Sequence, residues 1–158
     1  YTMLCCETLQ ALGIKYVCTG TSDPKQAFLI FQNANYQNKI LHQHMTMETQ
    51  LQGASCELHS DSCGCELPTE PRFAACGAVC RPFSQMRSKR FENGSVKSHD
   101  AYNVTFTEYF DWLACFEPIT AIGEQVAGFN MPEFKGDDST PLQRPSLQTT
   151  NNSSNCFQ

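Results

Sequence analysis

Two residues in this chain have types and surroundings that could do covalent chemistry. Cys80 sits in "AACGAVCRPFSQMRSKR" (residues 74–90), where an apolar run passes Gly77, reaches the thiol, and gives way to Pro82, Phe83, Ser84 and a cluster of bases. Glu124 sits in "GEQVAGF" (residues 123–129), just after another apolar run. A thiolate is a strong nucleophile even at a modest ionised fraction. A carboxyl group placed near the electrophile can share or donate a proton as charge develops.

The elements that must hold this pair can be read from the pattern. "ETLQALG" has apolar residues at helical spacing and ends on Gly13, a helix stop. Residues 14–20, "IKYVCTG", read as a short buried strand. A helix follows, with Asp23 as N-cap, Pro24 at its first position, and an apolar face of Ala27, Phe28, Ile30, Phe31 and Ala34. "KILHQHM" is a strand and "METQLQG" a short helix. Residues 55–71 form an irregular insert, and "RFAACGA" is a short apolar strand. A loop from 79 to about 100 precedes one long helix, "AYNVTFTEYFDWLACF", with Phe106, Tyr109, Phe110, Leu113 and Phe116 on one face. "PITAIGEQVAGF" runs as a strand into a turn. Alternating helices and strands predict an open, mostly parallel α/β sheet, in which ligands bind at the carboxyl ends of strands. Both chemical stretches fall on that edge.

The order of these parts carries a resemblance. Gly77, Cys80, Phe83 and Ser84 fall in register with G-x-P-C-Q-x-F-S, motif IV of the DNA cytosine-5 methyltransferases, with Val79 in place of Pro and Arg81 in place of Gln. Glu124, Val126, Gly128 and Phe129 resemble motif VI, E-N-V followed by Gly and an apolar residue, with Gln125 in place of Asn. Residues 11–36 are similar to the family's second motif. The resemblance spans roughly residues 7–129. It implies an incomplete, Rossmann-like S-adenosylmethionine-dependent methyltransferase sheet over residues 1–135, with the insert at about 55–71 and a disordered tail over 136–158.

The same resemblance assigns roles. Cys80 would add to carbon 6 of a cytosine flipped out of DNA, Glu124 would act at ring nitrogen 3, and S-adenosylmethionine would methylate carbon 5. Asp23 is the carboxylate nearest the position expected to hold the cofactor's ribose. Ser84, Arg87, Lys89 and Arg90 would meet DNA on the loop after the nucleophile. The family's first, Gly-rich motif, its Q-x-R-x-R motif and its recognition domain find no match in these residues. The chain therefore reads as a fragment, and little or no turnover is expected of it alone.

Composition narrows the alternatives. The 158 residues, 41% hydrophobic and 17% charged, describe a globular chain. The net charge of -5 argues against coating nucleic acid by charge alone, but Arg81, Arg87, Lys89, Arg90 and Lys97 gather in one short window against the single acid Glu92. No run approaches a membrane span, and the start has no basic leader or cleavage site. An intracellular protein is expected, nuclear if eukaryotic. Ten cysteines without an export signal read as reduced thiols, several of them packed as small hydrophobes. Zinc held by Cys56, Cys63, Cys65 and Cys76 is conceivable, but the spacing has no C-x2-C knuckle and no regular His partner, so no metal site is expected. Val79, Arg81 and Gln125 motivate a second function class, a catalytically inactive methyltransferase-like module that binds nucleic acid or a protein partner.

Overall fold

The computed structural model describes residues 2–36, 39–54, 56–59, 65 and 70–143. They form helices α1 (Thr2–Ala11), α2 (Gln26–Tyr36), α3 (Met47–Leu51), α4 (Tyr102–Thr105) and α5 (Thr107–Phe116), and strands β1 (Cys18–Ser22), β2 (Ile40–His44), β3 (Phe73–Gly77) and β4 (Thr120–Glu124). The class is mixed α/β. Among the described residues the strands make two two-stranded sheets, β1-β2 and β3-β4, where the sequence pattern predicts one open sheet. No helix among them is long and apolar enough to cross a membrane. The chain divides into two compact units, Tyr1–Ala75 with Phe116–Thr120 and Cys76–Cys115 with Ala121–Gln158.

In the first unit, α1 stops where the sequence predicts. Gly13 adopts φ +69°, and the amides of Gly13 and Ile14 donate back to the carbonyls of Gln10 and Leu9 at 3.0 and 2.9 Å. This is the glycine-ended helix cap, and a side chain at Gly13 would strain it. β1 begins at Cys18, later than expected, and leaves Ile14 and Val17 exposed. It pairs in parallel with β2, Cys18 opposite Ile40 and Gly20 opposite His42, with α2 as the crossover.

The face expected to bury α2 does not. Leu29 is its buried residue, whereas Ala27, Phe28, Ile30, Phe31 and Ala34 are exposed. Two strands cover only a narrow stripe of a helix, and that stripe is largely polar. Gln32 Oε1 accepts from Thr21 Oγ1 at 2.9 Å and from Gln43 Nε2 at 3.1 Å, and the Leu29 carbonyl accepts from Gln43 Nε2 at 3.1 Å. The apolar core is small: Cys6, Cys18 and Ile40, flanked by Met3, Tyr16, Tyr36 and Leu58.

In the second unit the expected long helix is broken at Phe106, whose backbone lies at φ -114°, ψ -63°. The break lets Phe106 bury between Tyr102, stacked at 5.5 Å, and Phe110, at 4.8 Å between ring centres. The core is aromatic: Phe83, Val96, Tyr102, Phe106 and Phe129 are buried, with Phe91, Phe110 and Val126 packed against them. The acid Glu133 is fully buried there and accepts from the Tyr102 hydroxyl at 2.5 Å, with Lys97 Nζ 3.9 Å away. Of the segment expected to be a tail, residues 136–143 end in a 3-10 turn, Pro141–Gln143, with Pro141 buried. Residues 144–158 lie outside the described residues.

Candidate functional site

Cys80 lies three residues beyond the end of β3, and Glu124 is the last residue of β4. The two strands are neighbours. On the approach to their pairing, Ile119 N donates to Pro71 O and Thr120 N to Arg72 O. Residue numbers thus rise together, the parallel sense, so the two carboxyl ends open on one edge. Both side chains are exposed.

The chain turns sharply after Cys80, with Phe83 N donating to Cys80 O at 3.1 Å. The turn drives Pro82 and Phe83 inward while the thiol remains outside. Phe83, 0% exposed, meets Phe129 edge-on at 4.7 Å and Tyr102 at 5.8 Å. Phe83 of the first stretch and Gly128-Phe129 of the second are therefore two halves of one contact. Gly128 makes it possible: a Cβ there would lie 1.8 Å from the Phe83 carbonyl oxygen. Only glycine lets the two backbones approach this closely.

Arg90 ties the contact together. Its guanidinium donates to the Phe83 carbonyl, to Gly128 O at 2.8 Å and to Pro132 O at 3.3 Å. Burial, and secondly the charge of Arg87, draw its pKa below the ordinary range. The sequence places Arg90 on DNA, but here its fork of donors holds three carbonyls, and it is a positioning residue for the Cys80 turn. Gln125, at the position where the family has Asn, also joins the two loops. Its Oε1 accepts from Val126 N at 3.1 Å and its Nε2 donates to Ala78 O at 3.4 Å.

Of the other bases of the loop, Arg81 and Lys89 are exposed, whereas the Arg87 side chain is largely buried, 17% exposed. Arg81, Ser84, Met86, Arg87 and His99 line an open depression of about 300 Å³. Arg87 and Lys89 both approach Glu92, at 3.8 and 3.6 Å. Ser84 Oγ accepts from Met86 N at 3.3 Å, which uses one of its two lone pairs, and its hydroxyl hydrogen can still donate. Ser84 and Arg87 thus share a concave basic surface, and Lys89 stands on its own exposed position.

No protein-family model, no curated protein and no solved structure matches this chain. The site must be weighed on its own geometry.

Asp23 belongs to the other unit, directly after β1. Its Oδ1 accepts from Lys25 N at 2.9 Å and its amide donates to His44 O at 3.1 Å. It forms a local turn ahead of α2, which begins at Gln26, so Asp23 is not the N-cap and Pro24 not the first helical residue that the sequence predicts. Asp23 thus has a structural role at the end of β1, and no step is derived through S-adenosylmethionine.

The first unit contains a constellation that sequence reasoning missed. His42, on β2, lies beside Cys56, His59 and Cys65 of the insert, and their ligand atoms all fall within 4.8 Å of one another. Cys56 Sγ is 3.1 Å from His59 Nδ1 and 3.8 Å from His42 Nδ1, and Cys65 Sγ is 3.5 Å from His59 Nδ1. Burial raises the Cys56 pKa, but hydrogen bonds from the Gln43 backbone, His42, the Leu58 backbone and Cys65 outweigh it and bring it to about 6. His44, two residues along β2, is buried with both ring nitrogens unpartnered. Burial first, and then nearby His42, lower its pKa to about 4. Of the cysteines weighed from sequence, Cys56 and Cys65 belong to this cluster and Cys76 is on β3 outside it. Cys63 lies outside the described residues. The missed signal was local: Cys56-Glu-Leu-His59 is a C-x2-H knuckle, closed by His59 N donating to Cys56 O at 3.3 Å.

Proposed function

We propose that this chain carries the base-activating part of a DNA cytosine-5 methyltransferase of Rossmann-like fold, with Cys80 as nucleophile and Glu124 as proton donor. The observation that supports it most is the interlock of Phe83 with Gly128 and Phe129, clamped by Arg90. The two stretches that resemble motifs IV and VI are not merely present in order. They pack on each other through the residues that match, and they leave the thiol and the carboxylate exposed at the ends of neighbouring strands.

The chemistry follows from those two groups. The Cys80 thiolate adds to carbon 6 of a cytosine turned out of the duplex, forming a C–S bond and pushing the ring electrons toward nitrogen 3. Glu124, as the acid, gives a proton to nitrogen 3 and removes the charge that would otherwise oppose addition. Carbon 5 is then enamine-like and can attack an electrophile. In the whole proposed reaction S-adenosylmethionine, when bound, would supply that electrophile as its methyl group. Arg81, Arg87, Lys89 and Ser84 would meet the phosphates flanking the flipped base.

Addition can be tested without the methyl donor. With duplex DNA tritiated at cytosine carbon 5, reversible attack by Cys80 lets a solvent proton replace the label, and tritium appears in water. Release from the native chain is expected, abolished in Cys80→Ser and at least about 100-fold slower in Glu124→Gln. No release, or equal release from Cys80→Ser, overturns the assignment and leaves a binding module as the better reading.

A further inference from the structure

We propose that His42, Cys56, His59 and Cys65 form a structural zinc site that fastens the cysteine-rich insert to strand β2. Four protein donors, two thiols and two imidazoles, complete a tetrahedral shell with no position left for water, which is the composition of closed rather than catalytic zinc sites. With Zn–S of about 2.3 Å and Zn–N of about 2.0–2.1 Å, a tetrahedron places sulfur and nitrogen about 3.5 Å apart. The three sulfur–nitrogen distances, 3.1, 3.5 and 3.8 Å, bracket that edge. A hydrogen-bonded pair needs one such contact, whereas here His59 Nδ1 faces both thiols and Cys56 faces both imidazoles.

The donor set selects the metal. Two nitrogens and two sulfurs suit zinc, whereas calcium and magnesium require oxygens and an iron–sulfur cluster of the common kind requires four thiolates. Both cysteines bind as thiolates, so any thiol proton still held is released, and the divalent ion balances the two negative charges to give a neutral centre. That is the form in which Cys56 and Cys65, 6% and 1% exposed, are most easily buried.

The surrounding backbone already prepares the site. Glu57 N donates to Gln43 O at 2.7 Å, which pins the knuckle beside β2. His42 is opposite Gly20 in the β1-β2 pair, so a ligand on β2 ties the insert to the sheet. The neighbouring apolar core is small, and small cores are commonly completed by a metal. This inference does not depend on the methyltransferase reading.

The test uses the chain produced with zinc and purified under reducing conditions without chelator. One equivalent of zinc per chain is expected by elemental analysis. Titration of the stripped chain with cobalt(II) should give the visible bands of tetrahedral cobalt and a thiolate-to-metal charge-transfer band. Cys56→Ser and Cys65→Ser should each weaken zinc at least about 100-fold, while Cys76→Ser leaves one equivalent in place. The native chain's cobalt spectrum does not rely on any variant's folding. Three results overturn the proposal: no metal with no tetrahedral spectrum, metal that survives both cluster variants, or loss of metal in Cys76→Ser equal to theirs.

Discussion

In the unit that carries Cys80, large aromatic rings fill the interior and the basic loop is anchored from below by Phe83. In the unit that carries His42 and Cys56, Leu29, Ile40 and Phe116 are buried beside many small or polar residues: Cys6, Cys18, Thr21, Gln43, His44 and Gln50 among them. There α2 docks through amide and hydroxyl groups, and Phe28, Ile30 and Phe31 stay half-exposed. The unit of Cys80 buries Cys115 but leaves Cys80 exposed, whereas the unit of His42 buries Cys6, Cys18, Cys56 and Cys65. An aromatic core rigid enough to hold a turn can leave one thiol outside it. A thin, polar core gathers thiols and imidazoles inside, where a metal could supply the cohesion that apolar area does not.

The contrast breaks most readily at Gly128. Gly128→Ala puts a methyl group into the Phe83 carbonyl, and the neighbour is backbone, which cannot swing away. A loss of about 3 kcal/mol or more is expected in denaturant unfolding, at the upper end of overpacking costs. Gly94→Ala is the comparison, because nothing lies within 4 Å of its added carbon and only its φ of +85° opposes it. A smaller cost for Gly128→Ala than for Gly94→Ala would refute the interlock.

Arg90 and Arg87 separate positioning from contact. Arg90→Gln removes a charged donor from three carbonyls and should cost about 2 kcal/mol of stability. Arg87→Gln, at a side chain only 17% exposed, should cost less, about 1 kcal/mol, but weaken duplex binding and lower the salt-dependence slope by about one. Fluorescence anisotropy against salt, beside an unfolding curve for each variant, measures both. If Arg87→Gln binds as the native chain does, the basic depression is not a phosphate surface.

The smallest effect is a difference in labelling rate that compares the two units directly. At neutral pH an alkylating agent should modify exposed Cys80 with or without zinc. Cys18 and Cys76 should be slow, since burial pushes their thiols up to about 12 and about 11. Cys56 should react in the stripped chain and become protected when zinc is added. Peptide mass mapping after brief labelling reads all four. Equal protection of Cys80 by zinc would merge two sites held here to be distinct.

Much of the local structure was legible before folding. Gly13 ends α1 because a left-handed residue is required there, and Asp23 turns the chain ahead of α2, although the helix itself begins only at Gln26. Strands β2 and β3 and helix α3 also fall where apolar runs and turn residues put them. The burial of α2 was not legible, because hydrophobic spacing names an apolar face without saying whether anything covers it. Arg90 read as one base in a basic run, and its inward turn depends on carbonyls up to 42 positions away in sequence. His59 was within reach of a search for C-x2-H, but His42 was not, since it comes from a different element.

By its own residues, the sequence determined the order of helices and strands, the exposed thiol after β3 and the carboxylate at the end of β4. These are local properties, set by period, turn chemistry and the residue types at strand ends. Tertiary structure alone decided that Phe83 would rest on Gly128, that Arg90 would serve the backbone, and that two histidines and two cysteines would converge. Such partners are far apart along the chain, and only the packing that brings them together gives their chemistry a common place.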